Sequence, residues 1–490
     1  MKAVFILSFL LVFGFSFGQN TVDTSIFEID IPYMINDGRE PQLFIFKNNS
    51  FAVVFEDGTL TGKNSLVLQH YTNEFTLLKE EKIDISGLEM NGGFSDEHNR
   101  VYFFGQNKLL TKSYYYDAET KEFSENSFDW DPNTSTELDF FTQTDKGWVA
   151  CSQLWKPFMF GNKKGKKIKG INFFDFENKT LTTFPIVIDG QDNNNVTCMS
   201  LTYMKQSNVI VAAISIRQGM MTGDEHILIY DTQGKLLKDH FLYLDPNMLQ
   251  LSYRFIEKGP NEFFLIGICT YRDNNQLSIF KVPFTVERIS DMEFEDAVDV
   301  LDNTCYGETW KNNFNKAPKK EVPAFNTQFT FHDAIAIKDG FYMILEKMYP
   351  MFSSVIDPKT GRVSQKLSGY DSDAAFVLKF DQNMNLVWNN CFDISQDYTP
   401  RYLSKHLAYT IDDKEKVQMC YIGIGELAYK SFDAKGEAGL PVVESKFFKK
   451  QYLLEFEMFQ EKSRVYHLTN NVFLGYHVLR SRIEIKKIAI

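Results

Sequence analysis

The chain has 490 residues, of which 44% are hydrophobic, enough for one large repeat domain or two to four ordinary ones, and global disorder is excluded. Aromatic residues reach 15%, with 46 Phe and 23 Tyr, a bias that suits pleated, half-buried strands better than helices. The 64 acidic residues outnumber 52 basic ones, and a net charge of −12 repels phosphate backbones, which argues against nucleic-acid binding.

The N-terminus, MKAVFILSFLLVFGFSFGQN, has the three parts of an export signal over residues 1–18. Lys2 supplies the positive charge and Ala3 to Phe13 the apolar stretch. Ser16 and Gly18 are the small residues at −3 and −1 to a cut before Gln19. The apolar run is shorter than the roughly 20 residues needed to span a bilayer. No cysteine follows the cut, which argues against a lipid anchor, and no later stretch is apolar and long enough to span. The mature chain, 19–490, is therefore expected to be soluble in the periplasm or outside the cell. Six cysteines are sparse for this length and have no metal-ligand spacing. Cys151, Cys198, Cys269 and Cys420 lie in apolar strand-like runs and read as buried free thiols; Cys305 is a candidate for a single bridge.

From residue 41 onward one design recurs. A strand runs into a short polar turn and then into a very apolar strand: FIFKNNSFAVVFE, FFTQTDKGWVACS, LTYMKQSNVIVAAI, RFIEKGPNEFFLIG, AIAIKDGFYMILE and YTIDDKEKVQMCYIG. Continuous apolarity marks a strand buried on both faces. A second hairpin follows each, with β-prone alternating flanks and Asp, Asn, Gly or Thr at the turn, as in HILIYDTQGKLLKDHFLYL (226–244). The outer turns at Asn73, Thr120, Asn178 and Gly234 are 47, 58 and 56 residues apart, and Asn385 to Gly436 is 51. A four-stranded unit repeating at about 40 to 50 residues predicts an all-β fold, a single β-propeller.

Eight blades are expected, at about 41–87, 90–131, 136–190, 195–245, 248–294, 329–394, 402–445 and 450–490. The last has only three strands of its own. SIFEIDIPYM (25–34) supplies the fourth, so the N-terminal strand closes the ring and removes the exposed edges of an open sheet. SVIDPKTGRVSQKL (354–367) reads as a further hairpin, which leaves seven or nine blades open.

Over Gly340-Phe341-Tyr342-Met343-Ile344 and Ala375 to Trp388 the chain resembles the degenerate propeller repeats of exported bacterial proteins, in which a "GG-y-ivG" inner strand precedes an "afv-k-D-nGnl-W" outer hairpin. Asn383 and Asn385 stand where those repeats often have Gly, and the other units match more loosely. The resemblance implies a scaffold and no particular activity.

In a propeller the first-to-second and third-to-fourth turns share one face, and here they are short throughout. The opposite face collects the insertions 152–170, 216–225, 295–328 and 346–373. Trp155, Phe158, Met159, Met220, Met221, Tyr349 and Phe352 fall in them, with the basic run that includes Lys163 and Lys164, and read as a binding surface for a protein or a glycan. His332 beside Asp333, and His406, open consecutive innermost strands, with Glu137, Asp139 and Arg254 at comparable positions near the channel mouth. Histidines with carboxylates can bind a metal or move protons. Asp381-Gln-Asn383-Met-Asn385 imitates the start of a calcium loop, but Leu386 replaces the needed Gly, so a hairpin turn accounts for it. No nucleophile-elbow, zinc-protease or phosphate-loop motif is present. The expected function is that of a non-enzymatic exported binding scaffold, a monomer without cofactor. The alternative is a metal-assisted hydrolase or lyase with its site at the channel mouth.

Overall fold

A computed structural model of the chain describes residues 26–30, 41–58, 64–96, 98–106, 110–129, 138–152, 170–176, 178–188, 196–218, 221–244, 248–271, 277–295, 328–356, 363–394, 406–423, 426–439, 442–444, 447–448, 462–478 and 482–490. Eight antiparallel sheets follow one another in a ring and make an eight-bladed β-propeller. Blades one to seven span 42–84, 89–129, 138–185, 196–242, 248–295, 328–393 and 408–444, and blade eight is 462–489 joined by Ile26–Asp30. The N-terminal strand pairs antiparallel with Arg482–Ala489 from Ile26↔Lys486 to Asp30↔Arg482, so the ring closes as the sequence predicts.

The core lies between blades rather than within one. Eight clusters of buried side chains each join two neighbouring blades. Val53 and Phe55 of blade one meet Ile29, Tyr476 and Ile485 of blade eight, for example, and Leu265, Val282 and Phe284 meet Val211 and Ile229 between blades four and five. The second strand of each blade is packed on both faces, which is why its sequence is apolar without alternation. A single blade would leave both faces wet, so the repetition serves mutual burial. Cys151, Cys198, Cys269 and Cys420 are free and buried as expected, whereas Cys391 is disulfide-bonded. Cys305, the candidate for a bridge, lies outside the described residues.

The short turns share a grammar. Asp231, Asp381, Asp412 and Asp433 each accept, on Oδ1, the backbone N–H of the residue two and of the residue four positions on, at 2.8–2.9 Å. The residue before the second donor is left-handed: Gly234 at φ 86°, Met384 at 67°, Glu415 at 59° and Gly436 at 84°. Thr72 does the same with its hydroxyl, and Phe75 is left-handed at 65°. An acceptor at the first position replaces the ladder bonds that the turn cannot make. The calcium-like run at Asp381 is one of these turns, its carboxylate oxygens facing its own amides and the side chain of Asn385.

Two of the expected loop insertions are strand. The second and third strands of blade four run on through 216–225 to the pair Gln218↔Met221. Those of blade six, Gly340–Ile356 and Val363–Asp381, stay paired out to Ile356↔Val363. The segment 354–367 therefore extends blade six as a two-stranded ribbon and adds no ninth blade. Strand alternation was masked there by Met, Ser and Gly in mixed order, while cross-strand pairing carries the ribbon onward from the blade. The signal segment 1–18 and most of the insertions 152–170 and 295–328 lie outside the described residues.

Candidate functional site at the channel side of blades five to seven

The innermost strand of blade six is split. Gln328–Phe331 and Ile335–Ile337 both pair with the second strand, and His332, Asp333 and Ala334 form the break between them. His332 thus sits inside the inner strand rather than at its start. The His332 amide still reaches Ile344 O at 2.9 Å, so one residue is effectively inserted and the two sides of the break face differently.

Behind the break lies Glu346, on the second strand and fully buried. His332 Nε2 lies 2.7 Å from Glu346 Oε1, so this ring nitrogen carries the proton. The amide of His406 donates to both carboxylate oxygens at 2.9 and 3.1 Å, and that of Leu407 to Oε1 at 3.1 Å. Burial alone would push the carboxyl up. The hydrogen bond from His332, the charges of His332 and His406 and the Leu407 amide outweigh it and hold Glu346 below the usual carboxylate range. Tyr409 stands edge-on to His332 at 5.0 Å, and burial, followed by the charge of Asp333, pushes its hydroxyl upward. His332 and His406 are both brought to this one carboxylate, and both are buried. What the cluster does directly is fasten the start of blade seven to blade six.

Arg254, on the innermost strand of blade five, and Asp333 remain on the open side. Arg254 Nη2 donates to Phe331 O at 3.2 Å and lies 3.5 Å from Asp333 Oδ1; the Asp333 side chain is 85% exposed. Both line a cleft of about 620 Å³ between blades four, five and six, floored by Met204, Phe255, Phe341 and Met384 and opening towards the short turns at Lys338 and Gln382. A volume of this size falls within the roughly 300–1,000 Å³ of small-ligand sites. A second concavity of about 560 Å³, lined by Arg100, Tyr102, Trp148, Phe176 and Tyr203, opens on the same short-turn face. There the single O–H of Tyr203 is shared between Asn208 Oδ1 at 2.9 Å and Asp145 Oδ2 at 3.2 Å, and burial followed by Asp145 pushes the hydroxyl up to about 12.

Of the other residues singled out in the sequence, Asp139 lies in the first strand of blade three, opposite Cys151, and Glu137 lies outside the described residues. So do Trp155, Phe158, Met159, Lys163, Lys164 and Met220. Met221, Tyr349 and Phe352 lie in the extended strands of blades four and six, opposite Gln218, Asp371 and Leu367. Glu346 was missed, although a carboxylate ending the apolar run FYMILE is a signal, since a buried charge requires partners. The concave short-turn face was missed because short turns look inert and the cleft arises only from the spacing of three blades. Among the described residues no group of three or more His, Cys, Asp or Glu is arranged to hold a metal ion, and no helix is long and apolar enough to cross a membrane.

No protein-family model and no curated protein sequence matches the chain. Among solved structures it is similar to one from a study of two prolyl endopeptidases, at TM-score 0.39 and 11% identity over 90% of this chain and 54% of that one. It is also similar to prolyl oligopeptidase B from Galerina marginata, at TM-score 0.41 and 7% identity over 91% and 56%. A Synechocystis apocarotenoid oxygenase variant has TM-score 0.32 and 8% identity over 52% and 64%. The chain spans little more than half the length of the first two and under two thirds of the third, and at these identities the likeness is one of fold alone.

Proposed function

We propose that this is an exported, non-catalytic β-propeller that acts as a monomeric scaffold, binding a protein partner or a glycan through the face that carries the insertions. One observation supports the non-catalytic part above the rest. Glu346, the carboxylate between the two channel-side histidines, is fully buried and already accepts from His332, His406 and Leu407. A carboxylate committed in this way must release the junction of blades six and seven before it can serve as a base or a metal ligand. The binding part rests on sequence topology: the insertions 152–170 and 295–328 follow a second strand and a complete blade, positions that share one face.

The experiment is elemental analysis of the purified mature protein before and after chelator, followed by a screen of glycans and surface proteins against the intact chain and a 152–170 deletion. Retention of a partner by the intact chain alone is the expected result. One stoichiometric metal, with a loss of thermal stability on chelation, would replace this reading by the metal-assisted hydrolase or lyase.

A further inference from the structure

We propose that the cleft between blades four, five and six binds an extended peptide segment carrying an acidic side chain, by strand addition to the innermost strand of blade six. The site lies on the face opposite the insertions and goes beyond the function proposed above.

Hydrogen-bond parity along the inner hairpin of blade six fixes which backbone groups are left open. Ile337 and Gly340 flank the two-residue turn Lys338-Asp339, so they form the hydrogen-bonded pair that closes the hairpin. Alternation makes Ile335 and Tyr342 the next such pair. The N–H and C=O of Ala336, between them, therefore point away from the second strand, and among the described residues the Ile335–Ile337 strand has no paired neighbour on that side. Phe331, beyond the break, shows the same orientation, since its carbonyl faces Arg254 on blade five and accepts from it. Ala336 has no such cap among the described residues. Ala334 and Ala336 are both exposed and both line the cleft, and their small side chains let another backbone approach. An unpaired edge beside an apolar floor is the geometry of strand addition, in which main-chain bonds give affinity and side-chain pockets give specificity.

Charge selects the kind of peptide. The lining holds three cations, Arg254, Lys258 and Lys338, and three carboxylates, Glu257, Asp333 and Asp381. Glu257 turns its oxygens to the Gln206 and Ser207 amides and the Ser207 hydroxyl, at 2.6–2.9 Å. Asp381 is taken up by its own turn, and Asp333 pairs with Arg254. Lys258 and Lys338 remain without an ion-pair partner among the described residues. In a chain of net charge −12, the directed charge left open at this rim is positive.

The test is fluorescence anisotropy with the full mature chain and two labelled pentapeptides, Val-Glu-Val-Glu-Val and its Lys-for-Glu counterpart. Saturable binding of the Glu peptide is expected, with the Lys peptide about tenfold weaker or more. Lys338→Glu, an exposed substitution that leaves the melting curve unchanged, weakens the Glu peptide by about tenfold. Ala336→Pro, which removes the outward N–H, abolishes binding, while Lys235→Glu in a blade-four turn has no effect. Failure to bind, equal binding of both peptides, or indifference to Lys338→Glu overturns the site. Loss of a glycan or protein partner on deleting 152–170, with no binding of either peptide, overturns it while leaving the function proposed above intact. Peptide binding lost on that deletion, and unchanged by Lys338→Glu, moves the ligand to the insertion face and also overturns it.

Discussion

Glu346 of blade six accepts the backbone N–H of His406, at the entry to blade seven, at 2.9 Å. A side chain thereby does what strand pairing cannot do between blades, holding an amide that no ladder reaches. Removing the carboxylate leaves two buried amides and a buried imidazole unsatisfied. Glu346→Ala is expected to cost about 3–5 kcal/mol, and Glu346→Gln, which keeps an acceptor, clearly less. Urea unfolding measures both, and equal losses would show that packing rather than hydrogen bonding matters at this position.

The same group sets one arm of the acid response. Its folded pKa lies below the unfolded one, so the folded state holds fewer protons through that range. Its contribution is complete above the ordinary Glu pKa of about 4.3 and disappears as pH falls through the folded value. Glu346→Gln is therefore expected to flatten the stability curve only on the acid side of that range, in melts taken across pH.

Two further histidines act at higher pH. His70 is enclosed between blades one and two, its ring nitrogens 2.8 Å from Tyr116 OH and 2.7 Å from Ser50 Oγ. Burial, and then the charge of Lys121, pull it down to about 4. His477, stacked on Phe448 and 2.8 Å from Ser463 Oγ, is pulled to about 4 by burial. Both fold as neutral imidazoles. Unfolded chains take up the protons first, so stability is full above about 6.5 and falls as pH drops towards 4, by roughly 2 kcal/mol per histidine. The double variant His70→Gln, His477→Gln should lose most of that slope in denaturant titrations across the window; an unchanged slope would place the protons elsewhere.

Much of this architecture was legible because its signals are local. The run NVIVAAI announces a strand buried on both faces, DTQG announces a turn, and spacing of such pairs along the chain announces a ring. SIFEID was legible as the closing strand because blade eight is one strand short. Glu346 and the cleft were not legible in the same way. A carboxylate in a strand declares its need for partners but not where they come from, and two of its three donors, the amides of His406 and Leu407, lie 60 and 61 residues away at the entry to another blade. The open edge at Ala336 follows from the register set by the Lys338-Asp339 turn, and the break at His332, Asp333 and Ala334 that sets this short strand apart from Gln328–Phe331 is marked by no composition rule.

Turn chemistry yields a sharper test than core burial. Gly436 adopts φ 84°, and a Cβ built on it would stand 2.6 Å from the Trp388 ring of blade six. Its carbonyl also accepts from Asn390 Nδ2 at 2.9 Å. Gly436→Ala thus adds left-handed strain to a clash across a blade boundary, and a loss of about 2–3 kcal/mol is expected. Glu415→Gly, at φ 59° in the equivalent turn of blade seven, relieves strain and meets no such wall. In thermal melts of the two variants it should be neutral or slightly stabilising. A loss for Gly436→Ala and none for Glu415→Gly is the prediction; two losses would mean that the Glu415 side chain, whose Oε2 meets Lys379 Nζ at 2.6 Å, outweighs its backbone strain.

Closure is the property on which every other blade depends. Ile29 is buried against Ile483 and Ile485, and Phe27 stacks on Phe75 of blade one at 4.8 Å, so the Ile26–Asp30 strand joins the last blade to the first by packing as well as by pairing. Ile29→Asp places an unpaired carboxylate in that cluster and should cost at least about 3 kcal/mol. Deleting the strand through Asp30 goes further, because it bares the edge of Arg482–Ala489, and exposed edges pair with other chains. Size-exclusion chromatography of the truncated protein should therefore show dimers or larger species, and Ile29→Asp alone a destabilised monomer. If the truncated chain stays monomeric with an unchanged melting temperature, the inter-blade core holds the ring without its closing strand.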